Sequence, residues 1–166
     1  WKYLDYFYGA QTKKAKLQHL TDALIFLPYG TMVDHFQHIV YENPSLTPAE
    51  RNAEWLRLEK IYRPFMDASG VPGYEHGRLW QRQLHIYEYP FYYIDYCLAQ
   101  TVALEYWAMS QADYAAAFEK YLAFLEQGGR MTFTELCEAG QVTSPFAEGA
   151  TKQVVSAAEE WLAAND

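Results

Sequence analysis

The sequence predicts an all-α fold, a multi-helix bundle, on three observations. Apolar residues recur at three- and four-residue spacing along most of the 166 residues. Two threonines, Thr47 and Thr132, stand three residues before a glutamate and open apolar runs, the pattern of a capping box. No segment alternates apolar and polar residues over the length of a strand.

From Trp1 to about Leu27 the apolar positions Leu4, Tyr8, Ala15, Leu17, Leu20 and Leu24 predict one long amphipathic helix, with Lys13, Lys14 and Lys16 on its solvated side. Pro28, Tyr29 and Gly30 are expected to break it. A second helix resumes from Thr31 to about Glu42, and Met32, Val33, Phe36, Ile39 and Val40 make it apolar enough to be largely buried. Asn43–Leu46 is a turn. Thr47, with proline behind it and Glu50 three residues on, starts a helix that runs to Arg63, where Pro64 disfavours helical geometry. The glycines and proline of residues 67–73 make a loop. A helix is expected from about Glu75 to Ile86, and another from Pro90, tolerated in a first turn, to about Met109. Its run Thr101–Trp107 is apolar on nearly every side and belongs in the core. Ser110 and Asp113 offer caps for a helix from Tyr114 to Gln127, which Gly128 and Gly129 end. Thr132 caps a short helix closing at Gly140, residues 141–146 form a loop, and a last helix spans about Glu148 to Ala164.

Composition narrows the function classes. A hydrophobic content of 51% with 20% charged residues excludes a disordered chain, and the length suits one domain with a sizeable core. The net charge of −8 excludes a nucleic-acid partner, which needs a basic footprint. No apolar run reaches the roughly 18 to 20 residues that cross a bilayer, and no basic region followed by an apolar stretch opens the chain, so no membrane association and a cytoplasmic location are expected. Cys97 and Cys137, without paired spacing, read as reduced structural thiols. The chain opens at Trp1 inside a helical pattern, and residues 1–166 are therefore expected to be a single helical region cut from a longer protein.

Three groups of residues could carry chemistry. His35 and His38, three apart on one turn, could face a metal, but zinc on a helix more usually takes histidines four apart, and hydrogen bonds to a neighbouring helix explain them better. Arg78, Arg82 and His85 share one face of the expected 75–86 helix; they could receive an anion or form a solvated ladder, and the ladder is the plainer reading. The third group is the segment from His85 to Gln100. On a helix, Tyr89, Tyr93, Tyr96 and Gln100 would form one stripe, while Tyr87 and Tyr92 fall off it and pack. Tyrosine keeps its proton at neutral pH, so aligned phenols can donate to an oxygen that gains negative charge. Spacing by itself leaves two readings open, an aromatic core and the wall of an active site.

The pattern His85-Ile-Tyr-x-x-Pro-Phe-Tyr-Tyr-Ile-Asp-Tyr96, with Val33-Asp-His-Phe-Gln-His-x-Val-Tyr-Glu42 before it and Tyr62-Arg-Pro64 between, resembles the C-terminal part of the oligoendopeptidase F and thimet oligopeptidase-like zinc metallopeptidases. The resemblance covers nearly the whole chain. It implies the C-terminal helical part of a zincin-type oligopeptidase, in which an HExxH helix and a further glutamate hold zinc and a later segment closes the site. By that similarity Tyr96 stabilises the tetrahedral oxyanion, His85 hydrogen-bonds the peptide, Tyr93 binds the substrate backbone or carboxylate, and Tyr89 matches a further tyrosine on a mobile loop. Here that loop is shorter and lacks glycine. No HExxH occurs, since none of His19, His35, His38, His76 and His85 is followed by glutamate. The zinc of the whole enzyme is thus expected upstream, with no metal ligands and no peptide cleavage in this chain alone.

Two functions remain. One is part of a zinc-dependent metalloendopeptidase that takes oligopeptide substrates, completed by the upstream metal-binding part of the same enzyme. The other is a self-contained helical module that binds a partner peptide in an aromatic groove without chemistry. A fragment would leave an apolar face uncovered and is expected to self-associate through it.

Overall fold

The computed structural model describes residues 1–165, and among them every regular element is helical. In chain order these are α1 (Leu4–Tyr8), a 3-10 turn (Gly9–Gln11), α2 (Thr12–Glu42), α3 (Pro48–Tyr62), a second 3-10 turn (Arg78–Arg82), α4 (His85–Glu88), α5 (Ile94–Ala112), α6 (Tyr114–Glu126), α7 (Phe133–Ala139) and α8 (Ala150–Asn165). The chain divides into two compact units, one of Ile25–Cys97 and one of Trp1–Leu24 with the chain from Leu98 onward.

Local chemistry decides three of the helix starts. At α3 the Thr47 hydroxyl accepts from the Glu50 N–H, and the Glu50 carboxylate accepts from the Thr47 N–H at 2.7 Å, so both halves of the capping box are closed. Thr132 and Glu135 repeat the arrangement at α7. Asp113 caps α6 by accepting from the Ala116 N–H at 3.1 Å.

Four expected elements differ, each for a physical reason. Pro28 does not break the chain, because α2 runs through it. An interior proline removes a helical hydrogen bond and costs about 3 kcal/mol. Burial of the next turns offsets this, since Met32, Val33, Phe36 and Gln37 are fully enclosed. The interruption falls instead at Gly9, whose φ of 47° ends α1. Gly30 turns out to be a packing residue. A Cβ there would collide with Cys97 Sγ, so the two backbones approach only because the side chain is absent. Gly30→Ala is accordingly expected to destabilise the protein by about 1–3 kcal/mol, and Cys97→Ala to recover part of that loss in a double-mutant cycle read by urea unfolding. Simple additivity of the two substitutions would show that the methyl group is accommodated elsewhere.

The helix expected from Glu75 to Ile86 is absent. Gly73 and Gly77 take φ of 85° and 69°, turning the chain. At Gly77 the backbone lies against the Asn52 carbonyl of α3, where a Cβ would have no room, and Trp80 Nε1 donates to Asn52 Oδ1 at 2.9 Å. The segment is thereby moulded onto α3 as turns and a 3-10 turn. The tyrosine helix, expected from Pro90, begins at Ile94. The side chain of Gln37, wholly buried, accepts from the Phe91 N–H at 2.8 Å, and Phe91 adopts a φ of 63°. A non-glycine residue in that region is strained, and the chain cannot be helical there. The last helix starts at Ala150, past Gly149 with its φ of 80°, rather than at Glu148.

In the unit Ile25–Cys97 the core is Met32, Val33, Phe36, Trp55, Leu58, Trp80, Ile86 and Tyr93. Phe36 meets Trp55 edge to face at 5.1 Å, and Trp55 in turn meets Tyr29 at 6.5 Å. In the other unit Val102, Tyr106, Cys137 and Val142 are enclosed, with the Tyr106 hydroxyl donating to the Gly140 carbonyl at 3.0 Å. Both cysteines are buried. The run Thr101–Trp107 is central, as its composition predicts, apart from an exposed Ala103.

Candidate functional site

The His85–Tyr96 segment is folded against the aromatic core of the Ile25–Cys97 unit. His85 opens α4, Tyr89 follows its last turn, Tyr93 lies one residue before α5, and Tyr96 is in the first turn of α5. The Tyr41 hydroxyl donates to the Ile86 carbonyl at 2.7 Å and ties α4 to α2. The Gln37–Phe91 bond ties down the intervening turn.

These constraints gather three expected tyrosines around the His85 imidazole. His85 lies 5.0 Å from the Tyr93 ring, 5.5 Å from the Tyr96 ring and 6.3 Å from the Tyr89 ring, centroid to centroid. Tyr93 and Tyr96 meet at 5.3 Å. His85 Nε2 and Tyr96 Oη are hydrogen-bonded at 3.2 Å. The stripe is therefore real as a cluster but not as a helix face, because Tyr89 reaches it from a turn. Gln100 belongs to the other compact unit.

Exposure grades the cluster. Tyr93 is 9% exposed and part of the core, whereas Tyr96 is 41% and Tyr89 59% exposed. The segment thus runs from a core residue, Tyr93, to the more exposed phenols of Tyr96 and Tyr89. Tyr87 stacks on Trp80 at 5.9 Å and Tyr92 meets Tyr96 at 5.6 Å, and each is about half exposed. Burial pushes the Tyr93 phenol up to about 12. Since this folded value lies above the ordinary 10.0, the stability it contributes is complete below about pH 10 and is lost as pH rises through about 12. The expected result is an ultraviolet titration difference between the protein and its Tyr93→Phe variant centred near pH 12. A difference centred near pH 10 would contradict the burial of this hydroxyl.

Behind His85 stands a pair that sequence spacing does not reveal. The Tyr29 hydroxyl donates to Gln83 Oε1 at 2.8 Å, and Gln83 Nε2 is 2.8 Å from His85 Nδ1. Tyr29 and Gln83 are 54 positions apart, so only the fold brings them together. Burial also raises the Tyr29 pKa, with Arg82 and Arg63 opposing it, and the phenol stays protonated at neutral pH.

The other candidates resolve plainly. Arg78 and Arg82 do not share a helix face with His85, because the 75–86 helix does not form. Both arginines are exposed, and Arg82 Nη1 donates to the Tyr74 hydroxyl at 2.8 Å. His35 Nδ1 is hydrogen-bonded to the Tyr62 hydroxyl of α3 at 2.9 Å, the neighbouring-helix bond expected of it. His38 lies 3.5 Å from Asp34 and 4.9 Å from the Phe91 ring. Among the described residues no three histidine, cysteine, aspartate or glutamate side chains converge so as to hold a metal. These residues do not fit a zinc site, and the chemistry they offer is hydrogen bonding. An apolar cavity of about 320 Å³ lies in the other unit among Leu20, Ala23, Leu104, Trp107, Phe118 and Tyr121. No helix among the described residues is long and apolar enough to cross a membrane.

Residues 2–155 match the sequence profile of peptidase family M3. Among solved structures, one described as an oligoendopeptidase F is 48% identical with a TM-score of 0.93, over 98% of this chain. PZ peptidase A, solved with an inhibitor, is 46% identical with a TM-score of 0.94, over 99% of this chain. An oligoendopeptidase F assignment from Bacillus anthracis str. Ames is 40% identical with a TM-score of 0.79. The chain spans 29% of the first two proteins and 26% of the third. No curated protein matches.

Proposed function

The chain belongs to peptidase family M3, and from that premise we propose that it forms one wall of the active site of a zinc-dependent enzyme that hydrolyses oligopeptides. The observation that carries the reading is the Tyr96–His85 hydrogen bond, made by partly exposed groups seated on a buried aromatic platform. Tyr96 is the donor to the oxygen that becomes negative when the peptide carbonyl turns tetrahedral. His85 supports it from behind. Tyr89, more than half exposed, contacts the substrate, and Tyr93 does so through the 9% of its surface left open.

The physical case rests on preorganisation. An oxyanion donor must be aimed before the charge develops, since reorienting it during the reaction would consume the gain. Tyr96 is held by ring contacts to Tyr92, Tyr93 and His85, so its hydroxyl is placed without substrate. The zinc and its ligands are assigned to the part of the enzyme outside this chain, which is also its necessary partner. The acidic composition and buried, reduced thiols accord with a cytoplasmic enzyme.

The test is hydrolysis of a quenched-fluorescent oligopeptide by the full-length protein, compared with its Tyr96→Phe variant. Turnover that depends on the Tyr96 hydroxyl supports the assignment. Turnover indifferent to it removes Tyr96 from the chemistry.

A further inference from the structure

We propose that Gln83 and Tyr29 are positioning residues that set the tautomer of His85, leaving the Tyr96 hydroxyl proton free for the substrate oxygen. The inference rests on the functional reading above and extends it behind His85.

The polarity follows from the two ends of one amide. The Gln83 carbonyl oxygen can only accept, and it takes the Tyr29 hydroxyl proton at 2.8 Å. The same amide then presents only N–H to His85 Nδ1, also at 2.8 Å. With the amide in this orientation Nδ1 is the unprotonated nitrogen, and the ring proton sits on Nε2. From there it points to Tyr96 Oη at 3.2 Å. A hydroxyl that accepts from the imidazole cannot also donate to it, so the Tyr96 proton is directed away from His85.

The reverse polarity would have the opposite effect. With the proton on Nδ1, Nε2 would accept from Tyr96, and the hydroxyl would offer the substrate only lone pairs. An anionic oxygen would then meet repulsion rather than a donor. The source of the relay is rigid. Tyr29 packs edge to face on Trp55 and Tyr93, and the Arg63 guanidinium lies 5.1 Å over its ring. His85 accordingly acts through Tyr96.

The experiment uses the full-length protein labelled with nitrogen-15 histidine, in the wild type and in the near-isosteric Gln83→Glu variant. It is run at about pH 9, well above the ordinary histidine range. A carboxylate can only accept, so it keeps the Tyr29 bond and draws the His85 proton to Nδ1. Two-bond nitrogen–proton spectra are expected to show His85 protonated on Nε2 in the wild type and on Nδ1 in the variant. In parallel, kcat on a fluorogenic oligopeptide is expected to fall about tenfold or more while KM stays nearly constant. Tyr29→Phe should give a smaller loss of the same kind. A wild-type His85 protonated on Nδ1 overturns the proposal without any substitution. So does an unaltered tautomer in Gln83→Glu, or a reversed tautomer with unchanged kcat. If Tyr96→Phe itself leaves kcat unchanged, the functional reading falls instead, while the spectra still report the relay.

Discussion

Phenylalanine at position 96 is expected to lower kcat of the full-length protein on an oligopeptide by about a hundredfold or more, on the order of 3 kcal/mol, while KM changes little. The substitution is selective because the ring contacts of Tyr96 survive it. His85, Tyr92 and Tyr93 meet the ring at 5.5, 5.6 and 5.3 Å, and the hydroxyl is the only part lost. The folded structure should therefore be intact, and the loss should appear where charge develops. Tyr89→Phe and Tyr93→Phe, assigned to substrate contacts, are expected to act mainly through KM. A Tyr96 variant that raises KM with kcat unchanged would move Tyr96 from transition state to ground-state binding.

The largest effect on stability is expected from Trp55→Ala, about 3–5 kcal/mol by urea unfolding. Trp55 is fully enclosed, and Phe36 and Tyr29 pack their rings against its faces and edges. Removing the indole deletes its transfer from water and leaves a cavity that α2 and α3 cannot close without moving. Tyr29 loses a wall at the same time, so the variant should also weaken the bond to Gln83 and with it the site. A loss below about 1 kcal/mol would show that the core under the tyrosines collapses freely and does not hold them in place.

How far the sequence spoke depended on the range of the interactions. The capped starts of α3, α6 and α7 were legible because each is settled by a hydroxyl or carboxylate and an N–H three residues away. Pro28 misled because its local cost is outweighed by burial of Met32, Val33 and Phe36, which no local pattern states. Gly30 misled in the same way, since its purpose is the approach of Cys97 from 67 positions further on. At the site, helical spacing brought Tyr89, Tyr93 and Tyr96 together for a partly mistaken reason. A turn held by Gln37 and Phe91, not a helix, carries Tyr89 to the cluster. Family resemblance singled out His85 and the tyrosines, but Tyr29 and Gln83 had no motif to mark them. Their meeting exists only once α2 has folded against the segment before α4.

A tetrahedral phosphonate peptide offers the most direct measurement of the central assignment, because it carries negative oxygen where the attacked carbonyl becomes an oxyanion. Its inhibition constant should be determined for the full-length protein and for Tyr96→Phe, beside kcat/KM for the matching planar substrate. If Tyr96 donates to the oxyanion, the phosphonate loses affinity by nearly the same factor as kcat/KM, about a hundredfold, while KM for the substrate holds. Equal phosphonate affinity in the two proteins would contradict it.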